Sequence, residues 1–224
     1  MDWQAFRLSL FLACLTAIIL IPMGVLLAHY LVRSSSWLKQ FLEAGLTLPL
    51  VLPPTVLGYY LLVGFGNTGF LGSWFYELTG NSIVFSFFGI LIASLIVNIP
   101  FAFIPIQRAF EAIPIELRDA AATCGLNPLK RLWKIELPLA WKGICSATVM
   151  TVAHTIGEFG VVLMVGGNIP GQTRTLSIAI YDRVQALDMD GAGVMSFCLL
   201  LFSFVTLLLS QILNRKSVVR GVAH

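Results

Sequence analysis

The sequence has very little charge for its length. Of its 224 residues, 11% are Asp, Glu, Lys or Arg, whereas 58% are hydrophobic. A soluble globular domain carries about 25% charged residues, so this composition supplies too little polar surface for a soluble fold. The alternative, a very hydrophobic soluble α/β protein, requires apolar runs of strand length. The apolar runs here are longer, which favours a membrane protein.

The sequence also lacks the patterns that mark metal, disulfide and nucleotide sites. Its four cysteines are scattered, without a Cys-x-x-Cys pair or a Cys/His cluster, so neither a metal centre nor a disulfide framework is indicated. There is no G-x-x-x-x-G-K-[ST] loop, which excludes ATP binding by that route. The net charge of +3 follows from the distribution of Lys and Arg between loops, so it does not indicate nucleic-acid binding. We therefore expect no cofactor on this chain.

Five segments are long and apolar enough to cross a bilayer. A membrane-spanning helix needs about 20 mostly apolar residues, and the qualifying segments are residues 8–32, 46–66, 83–106, 143–167 and 191–213. The fourth contains the only acid in any of them, Glu158. The sequence thus predicts an all-α, polytopic membrane protein that forms one domain over residues 1–224. Because the number of spans is odd, its termini lie on opposite sides of the membrane.

The basic residues favour one orientation, since Lys and Arg concentrate in cytoplasmic loops. With the N-terminus outside, only Arg7, Arg174 and Arg183 stay outside. The other basic residues then fall inside, and they are Arg33, Lys39, Arg108, Arg118, Lys130, Arg131, Lys134, Lys142, Arg215, Lys216 and Arg220. We therefore expect a periplasmic N-terminus and a cytoplasmic C-terminus.

Prolines and isolated polar residues within the spans are candidates for a transport pathway or gate. Pro53 and Pro54 lack the amide proton that a helix needs, and they predict a break that either lines a pathway or is only a packing kink. Asn98 either bonds to a neighbouring helix or lines the pathway. An intramembrane carboxylate faces the bundle interior, a cavity or a partner group, which makes Glu158 a candidate. His154, four residues earlier, either hydrogen-bonds to Glu158 or acts with it at a gate or subunit contact.

Residues 107–142, which we call the charged segment, separate the third and fourth spans. They contain ten of the chain's charged residues. Pro114 predicts a helix over residues 115–124, and Gly125 predicts its end, because glycine adopts the left-handed conformation without strain. The expected location of this segment is the cytoplasmic surface.

A second short helix is predicted to follow within the charged segment. Asn127 is a favoured helix cap and Pro128 a favoured first residue, while Leu137-Pro138 predicts the end of the helix before the fourth span. One face is expected to carry Leu129, Leu132 and Trp133. A helix–turn–helix with an apolar face docks either onto the bilayer or into a groove of another protein, and composition alone does not choose between them.

The spacing within the charged segment resembles the coupling motif of bacterial ABC importer permeases. That motif reads Glu-Ala-Ala, three residues, Gly, nine residues, then Ile-x-Leu-Pro. The matching positions here are Asp119, Ala120, Ala121, Gly125, Ile135, Leu137 and Pro138. Asp119 replaces the usual glutamate, keeping its charge with a shorter reach. The resemblance implies docking into a groove on a cytoplasmic ATPase, through a portion that includes Leu126, Asn127, Pro128, Leu129, Arg131 and Leu132.

Two further stretches, residues 48–62 and 156–182, are similar to the molybdate branch of the sulfate/molybdate class of these permeases. Within the second, the run Asn-Ile-Pro-Gly-x-Thr-Arg-Thr at residues 168–175 favours molybdate. Sulfate and thiosulfate permeases share the first part of this run and are the nearest alternative. Tungstate is not separable from molybdate, because the two oxyanions have nearly the same size and charge.

The resemblance implies an inner-membrane permease subunit without enzyme activity of its own. Its partners would be a second copy of the chain, two cytoplasmic ABC ATPase subunits that bind ATP with Mg²⁺, a periplasmic molybdate-binding protein and membrane lipid. Two other classes fit less well. A secondary transporter predicts inverted repeats and several intramembrane charges, neither of which is apparent, and a membrane enzyme needs more than the single pair of His154 and Glu158.

Overall fold

The computed structural model describes residues 2–33 and 37–215, and every regular element in these ranges is helical. The helices are α1 (Trp3–Leu31), α2 (Trp37–Val51), α3 (Pro54–Phe65), α4 (Phe70–Thr79), α5 (Phe87–Glu111), α6 (Ile115–Thr123), α7 (Pro128–Arg131), α8 (Leu137–Gly157), α9 (Gly160–Gly166), α10 (Leu176–Gln185) and α11 (Met189–Arg215). A π-helical turn over Leu132–Glu136 joins α7 to α8. The predicted all-α class is confirmed. Lys216 and Arg220, two of the basic residues that favoured the orientation, lie outside the described residues.

Three helices are individually long and apolar enough to cross a bilayer, namely α1, α5 and the Met189–Leu208 part of α11. Two pairs meet the same test only together. The α2–α3 pair is bent by 108° and the α8–α9 pair by 59°. If each bent pair is one span, the described residues contain up to five. Both bends place irregular backbone within apolar segments.

The first bend lies where the prolines predict it, between α2 and α3. Pro53 has an extended ψ of 134°, and Pro54 is the first residue of α3, where a missing amide proton costs no hydrogen bond. Irregular backbone at membrane depth is tolerated only where protein or a water-filled cavity surrounds it. In this single chain, however, Val51 just before the break is 80% exposed.

The second bend lies between α8 and α9, and the sequence does not predict it. Glu158 has an extended ψ of 129° and so ends α8. Gly160 begins α9 and packs against the first bend, since a Cβ added to it would lie 3.0 Å from Pro54 Cβ. The two bends therefore contact each other.

Helices α1, α5 and α8 form the centre of the bundle. Next to the charged segment, Leu31, Phe103 and Phe110 belong to one buried apolar cluster. Helices α5 and α8 approach closely at Gly143, where an added Cβ would lie 2.3 Å from Ala109 Cβ. The charged segment is thus attached to a closely packed part of the bundle.

Candidate functional site

The charged segment begins with α6 and a sharp turn. Gly125 follows the end of this helix with a φ of +75°. The N–H of Leu126 donates to the carbonyl of Ala121 at 3.1 Å, and the N–H of Gly125 donates to that of Ala122 at 3.0 Å. These two bonds form a Schellman motif. The predicted role of Gly125 in ending the helix is therefore confirmed.

The predicted second helix also begins as expected but does not end as expected. Asn127 caps α7, because its Oδ1 accepts the N–H of Lys130 at 2.8 Å, and Pro128 is the first helical residue. The prediction that Leu137-Pro138 ends the helix is wrong. In the π-helical turn, the N–H of Leu137 donates to the carbonyl of Leu132. This five-residue spacing carries the chain into α8 without requiring an N–H from Pro138.

The motif residues divide into an exposed surface and a buried anchor. Leu129 and Trp133 are 64% and 66% exposed, whereas Leu132 is only 4% exposed and joins the apolar cluster beneath. The prediction that these three residues share one face is therefore wrong for Leu132. Leu129 and Trp133 are four residues apart and align on one side of the helix, whereas Leu132 is turned toward the bundle. The other predicted positions that are exposed are Asp119, Ala120, Gly125, Asn127, Pro128 and Pro138. Ala121 is buried, and those that are half-buried are Leu126, Arg131, Ile135 and Leu137.

A buried carboxylate, which the sequence analysis did not identify, lies at the base of this segment. Glu136 is 1% exposed. Its Oε2 accepts from His29 Nδ1 at 2.6 Å, and its Oε1 accepts from Arg33 at 2.8 Å. The Nε atoms of Arg118 and Arg131 lie 3.6 and 3.5 Å from the same Oε1. We call these five residues the Glu136 cluster.

The Glu136 cluster joins elements that are far apart in the chain. His29 is in α1, Arg118 in α6 and Arg131 in α7. Arg118 also donates to the carbonyl of Phe110 at the end of α5, at 2.5 Å. The sequence signal for the cluster is the i,i+4 spacing of His29 and Arg33 at the end of the first span. This spacing places the two side chains on one face but does not predict that Glu136 binds them. One acid thus balances three arginines where four helices meet.

The predicted pathway residues are brought together, except for Pro53, which does not line the cavity that three of the others share. Pro54, His154 and Glu158 line one cavity of about 120 Å³ beside the two bends. Asn98 is fully buried behind it, and its Nδ2 donates to the carbonyl of Ser94 at 2.8 Å. The cavity therefore combines a carboxylate, an imidazole and irregular backbone on an apolar wall.

The hydrogen bond between His154 and Glu158, which was one of the two alternatives for this pair, is not formed. His154 Nε2 lies 3.9 Å from the Glu158 carboxylate, which is beyond hydrogen-bond distance. Instead, His154 Nδ1 donates to Asn98 Oδ1 at 3.1 Å, and the imidazole stacks on Phe101 with ring centroids 3.9 Å apart. Glu158 Oε1 accepts the N–H of Val161 at 3.1 Å. The carboxylate thus caps the first turn of α9, which the second bend leaves unsatisfied.

This cap yields a stability prediction. Glu158→Leu removes the acceptor for the Val161 N–H and should destabilise the protein by about 1 kcal/mol. Glu158→Gln is the matched control, because its amide oxygen still accepts that N–H, and its stability should change by less than about 0.5 kcal/mol. Thermal unfolding in detergent measures both. Equal midpoints for the two variants would contradict the capping role.

At the opposite end of the bundle, polar side chains bind one another. Arg174 Nε donates to Asn168 Oδ1 at 2.6 Å, and its guanidinium lies 3.4 Å from the carboxylate of Asp182. Asp188 accepts the backbone N–H of the third residue of α11 at 2.9 Å. This hydrogen bond and the neighbouring Arg183 guanidinium hold the pKa of Asp188 below its usual range. The contacts with Asn168 and Asp182 therefore position the Arg174 guanidinium within its own chain.

Known proteins resemble this chain over nearly its whole length. Residues 20–219 match the family model described as binding-protein-dependent transport system inner membrane component. The molybdenum transport system permease protein of Azotobacter vinelandii is 43% identical over 206 residues, which cover 92% of this chain and 91% of that protein. The molybdenum transport system permease protein of Escherichia coli K12 is 36% identical over 217 residues, covering 96% and 95%.

The fold also occurs in a solved transporter. A chain of the bacterial alginate ABC transporter, solved with an alginate pentasaccharide-bound periplasmic protein, superposes with a TM-score of 0.76 at 17% identity. The alignment covers 95% of this chain and 78% of that one. At this identity the likeness establishes the fold alone. Together with the family model and the full-length relatives, it shows that this chain belongs to the family of inner membrane components of binding-protein-dependent transport systems.

Proposed function

We propose that this chain is the membrane-spanning permease subunit of an ATP-driven importer of molybdate. The assignment of molybdate as the substrate rests on the 43% identity, over nearly the full length, to a protein named as a molybdenum transport permease. The run at residues 168–175 supports the same branch of the family. Sulfate or thiosulfate is the alternative substrate, and tungstate is a second oxyanion of the same shape.

The charged segment is proposed to lie in the cytoplasm, with the N-terminus in the periplasm. Supporting this orientation, eight of the basic residues lie between residues 33 and 142 in segments that share one side of the membrane. The short outer segments carry three. In this orientation the charged segment faces the compartment that contains ATP.

The exposed part of the charged segment is proposed to dock into a groove of a cytoplasmic ATPase. Leu129 and Trp133 form an exposed apolar pair one turn apart, which is typical of helix-in-groove recognition. The Gly125 turn and the Asn127 cap fix the direction in which this pair points. ATP and Mg²⁺ would be held by the partner subunits, so that this chain needs no cofactor of its own.

A second copy of the chain is proposed to pack beside α2 and α3. No residue of α2 is buried within the single chain, and the backbone around Pro53 is irregular. Lipid cannot supply hydrogen bonds to backbone groups freed at such a bend. A homodimer would cover them and place the two bends of each copy beside a shared pathway.

The pathway or gate is proposed to include Pro53, Pro54, Asn98, His154 and Glu158. Four of these converge on the cavity beside the bends. An ionised Glu158 in direct contact would repel a dianion, and its carboxylate already caps α9. Glu158 is therefore assigned to the gate rather than to the oxyanion. Movement of the docked segment would open the pathway to alternate sides by rigid-body rotation of helices.

Uptake by the reconstituted transporter tests this proposal. The permease, its ATPase and the periplasmic molybdate-binding protein are placed in vesicles with labelled molybdate, and sulfate and tungstate are added as competitors. We expect ATP-dependent molybdate uptake that excess tungstate suppresses and excess sulfate does not. Equal transport of sulfate with a sulfate-binding protein would overturn the substrate assignment. Uptake without any ATPase would overturn the transporter class.

A further inference from the structure

The Glu136 cluster links the charged segment to a helix that the coupling motif does not include. His29 and Arg33 lie at the end of α1, whereas Arg118 and Arg131 lie in the charged segment. All four face the same buried carboxylate. Contact between α1 and the charged segment at this level therefore depends on one acid.

The charges explain why that acid holds the contact. Without Glu136, the guanidinium groups of Arg33, Arg118 and Arg131 would converge on one partly buried space, with no other carboxylate of the described residues paired to them. Like charges repel more strongly where less water separates them. Within the described part of the chain, the Nε atoms of Arg118 and Arg131 have no hydrogen-bond partner, and their ion pairs to Glu136, at 3.6 and 3.5 Å, compensate them. The carboxylate therefore sets the distance between α1 and the two short helices.

The packing above the cluster extends this contact into the bundle. Leu132, four residues before Glu136, joins a buried apolar group with Leu31 of α1 and Phe110 of α5. The ring of His29 also contacts that of Phe110, with centroids 6.2 Å apart and an edge-to-face angle of 83°. The apolar contacts of Leu132 and the polar contacts of Glu136 thus join the charged segment to the same end of α1, in two adjacent layers. A displacement of the charged segment would be passed to α1 through this joint.

We propose that Glu136 is a positioning residue for energy coupling, which ties α1 to the charged segment so that both move as one body. The inference rests on the proposed function only in requiring a transporter driven by an ATPase. Because Glu136 is only 1% exposed, we assign it no direct contact with the substrate or the ATPase. It acts by holding His29 and Arg33 of one helix against Arg118 and Arg131 of the segment.

The test measures oxyanion transported per ATP hydrolysed, in vesicles that contain the assembled transporter. For Glu136→Gln we expect this ratio to fall about fivefold or more, while ATP hydrolysis stays within about twofold of the wild-type rate. Glu136→Asp should restore most of the ratio, because it keeps the charge at the same site. A merely structural residue would lower transport and hydrolysis together.

Glu43→Gln is the matched control. Glu43 lies at the same end of the bundle, accepts from Gln107 at 2.6 Å and pairs with Lys39 at 3.7 Å. The contact with Gln107 joins α2 to α5 at the first residue of the charged segment, rather than to α6 or α7, which carry Arg118 and Arg131. Its ratio should remain within about twofold of the wild-type value. An equal loss for Glu43→Gln and Glu136→Gln would overturn the specific role of Glu136.

A variant on the α1 side keeps the test decisive if Glu136→Gln does not assemble. His29→Gln combined with Arg33→Gln releases α1 but leaves Glu136 paired with Arg118 and Arg131. We expect the same fall in the ratio. An unchanged ratio in either variant, or a loss that only follows the amount of assembled complex, would overturn the inference. If the wild type carries sulfate instead of molybdate, the ratio is measured with sulfate, and only the substrate assignment fails.

Discussion

Gly125→Val should abolish most ATP-driven uptake. Gly125 has a φ of +75°, and no atom lies within 4 Å of a Cβ added there. The penalty is therefore conformational rather than steric. A β-branched residue in the left-handed region costs about 1–2 kcal/mol, which is about tenfold in the population of the native turn. Because this turn aims the exposed pair Leu129 and Trp133, we expect uptake and co-purification of the ATPase to fall about tenfold.

Gly80→Val is the matched control for this experiment. Gly80 follows α4 at the opposite end of the bundle, with a φ of +71° and open space around an added Cβ. The backbone strain is therefore the same, but the location is different. Uptake by this variant should stay within about twofold of the wild-type level. Equal losses at both glycines would show that general destabilisation, not the orientation of the docking surface, explains the effect.

Gly143→Ala should destabilise the bundle at the close crossing of α5 and α8. The new methyl group would lie 2.3 Å from Ala109 Cβ and 2.8 Å from the carbonyl oxygen of Pro105. Both neighbours are fixed to the backbone of α5, so the two helices must separate. Overpacking of this kind costs about 1–3 kcal/mol. For a chain of this size the thermal midpoint in detergent should fall by about 2–12 °C.

Gly157→Ala provides the comparison within the same helix. An alanine Cβ at this position meets no atom within 4 Å, and alanine is favoured over glycine in a helix by about 1 kcal/mol. Its midpoint should therefore be unchanged or slightly higher. If Gly143→Ala unfolds at the same temperature as Gly157→Ala, the close approach of α5 and α8 does not limit stability.

The sequence predicts those features of the charged segment that depend only on neighbouring residues, namely the turn after α6 and the start of α7. Gly125, Asn127 and Pro128 act within three residues of their own positions, and each appears in the structure as predicted. The bend at Pro53 has the same origin, because a proline in the interior of a helix removes a backbone hydrogen bond and clashes with the preceding turn.

The missed features depend on partners that are distant in the chain. Glu136 binds His29 and Arg33, which precede it by 107 and 103 residues, so no local pattern identifies the contact. Pro138 is a reliable helix terminator only when the preceding turn is α-helical, and the π-helical turn removes that condition. The bend at Glu158 likewise lies against another helix, since a Cβ added to Gly160 would lie 3.0 Å from Pro54 Cβ.

The Glu136 cluster also has a consequence for biosynthesis. At translation rates of about 5–20 residues per second, Arg33 leaves the ribosome several seconds before Glu136 exists. During that interval the end of the first helix carries unpaired basic groups. The cluster closes only after α5, α6 and α7 have been synthesised, since Glu136 follows all three. A nascent chain truncated before residue 136 therefore lacks the counter-ion. Its first helix is not yet attached to the rest of the bundle through the Glu136 cluster and would be accessible to quality-control proteases.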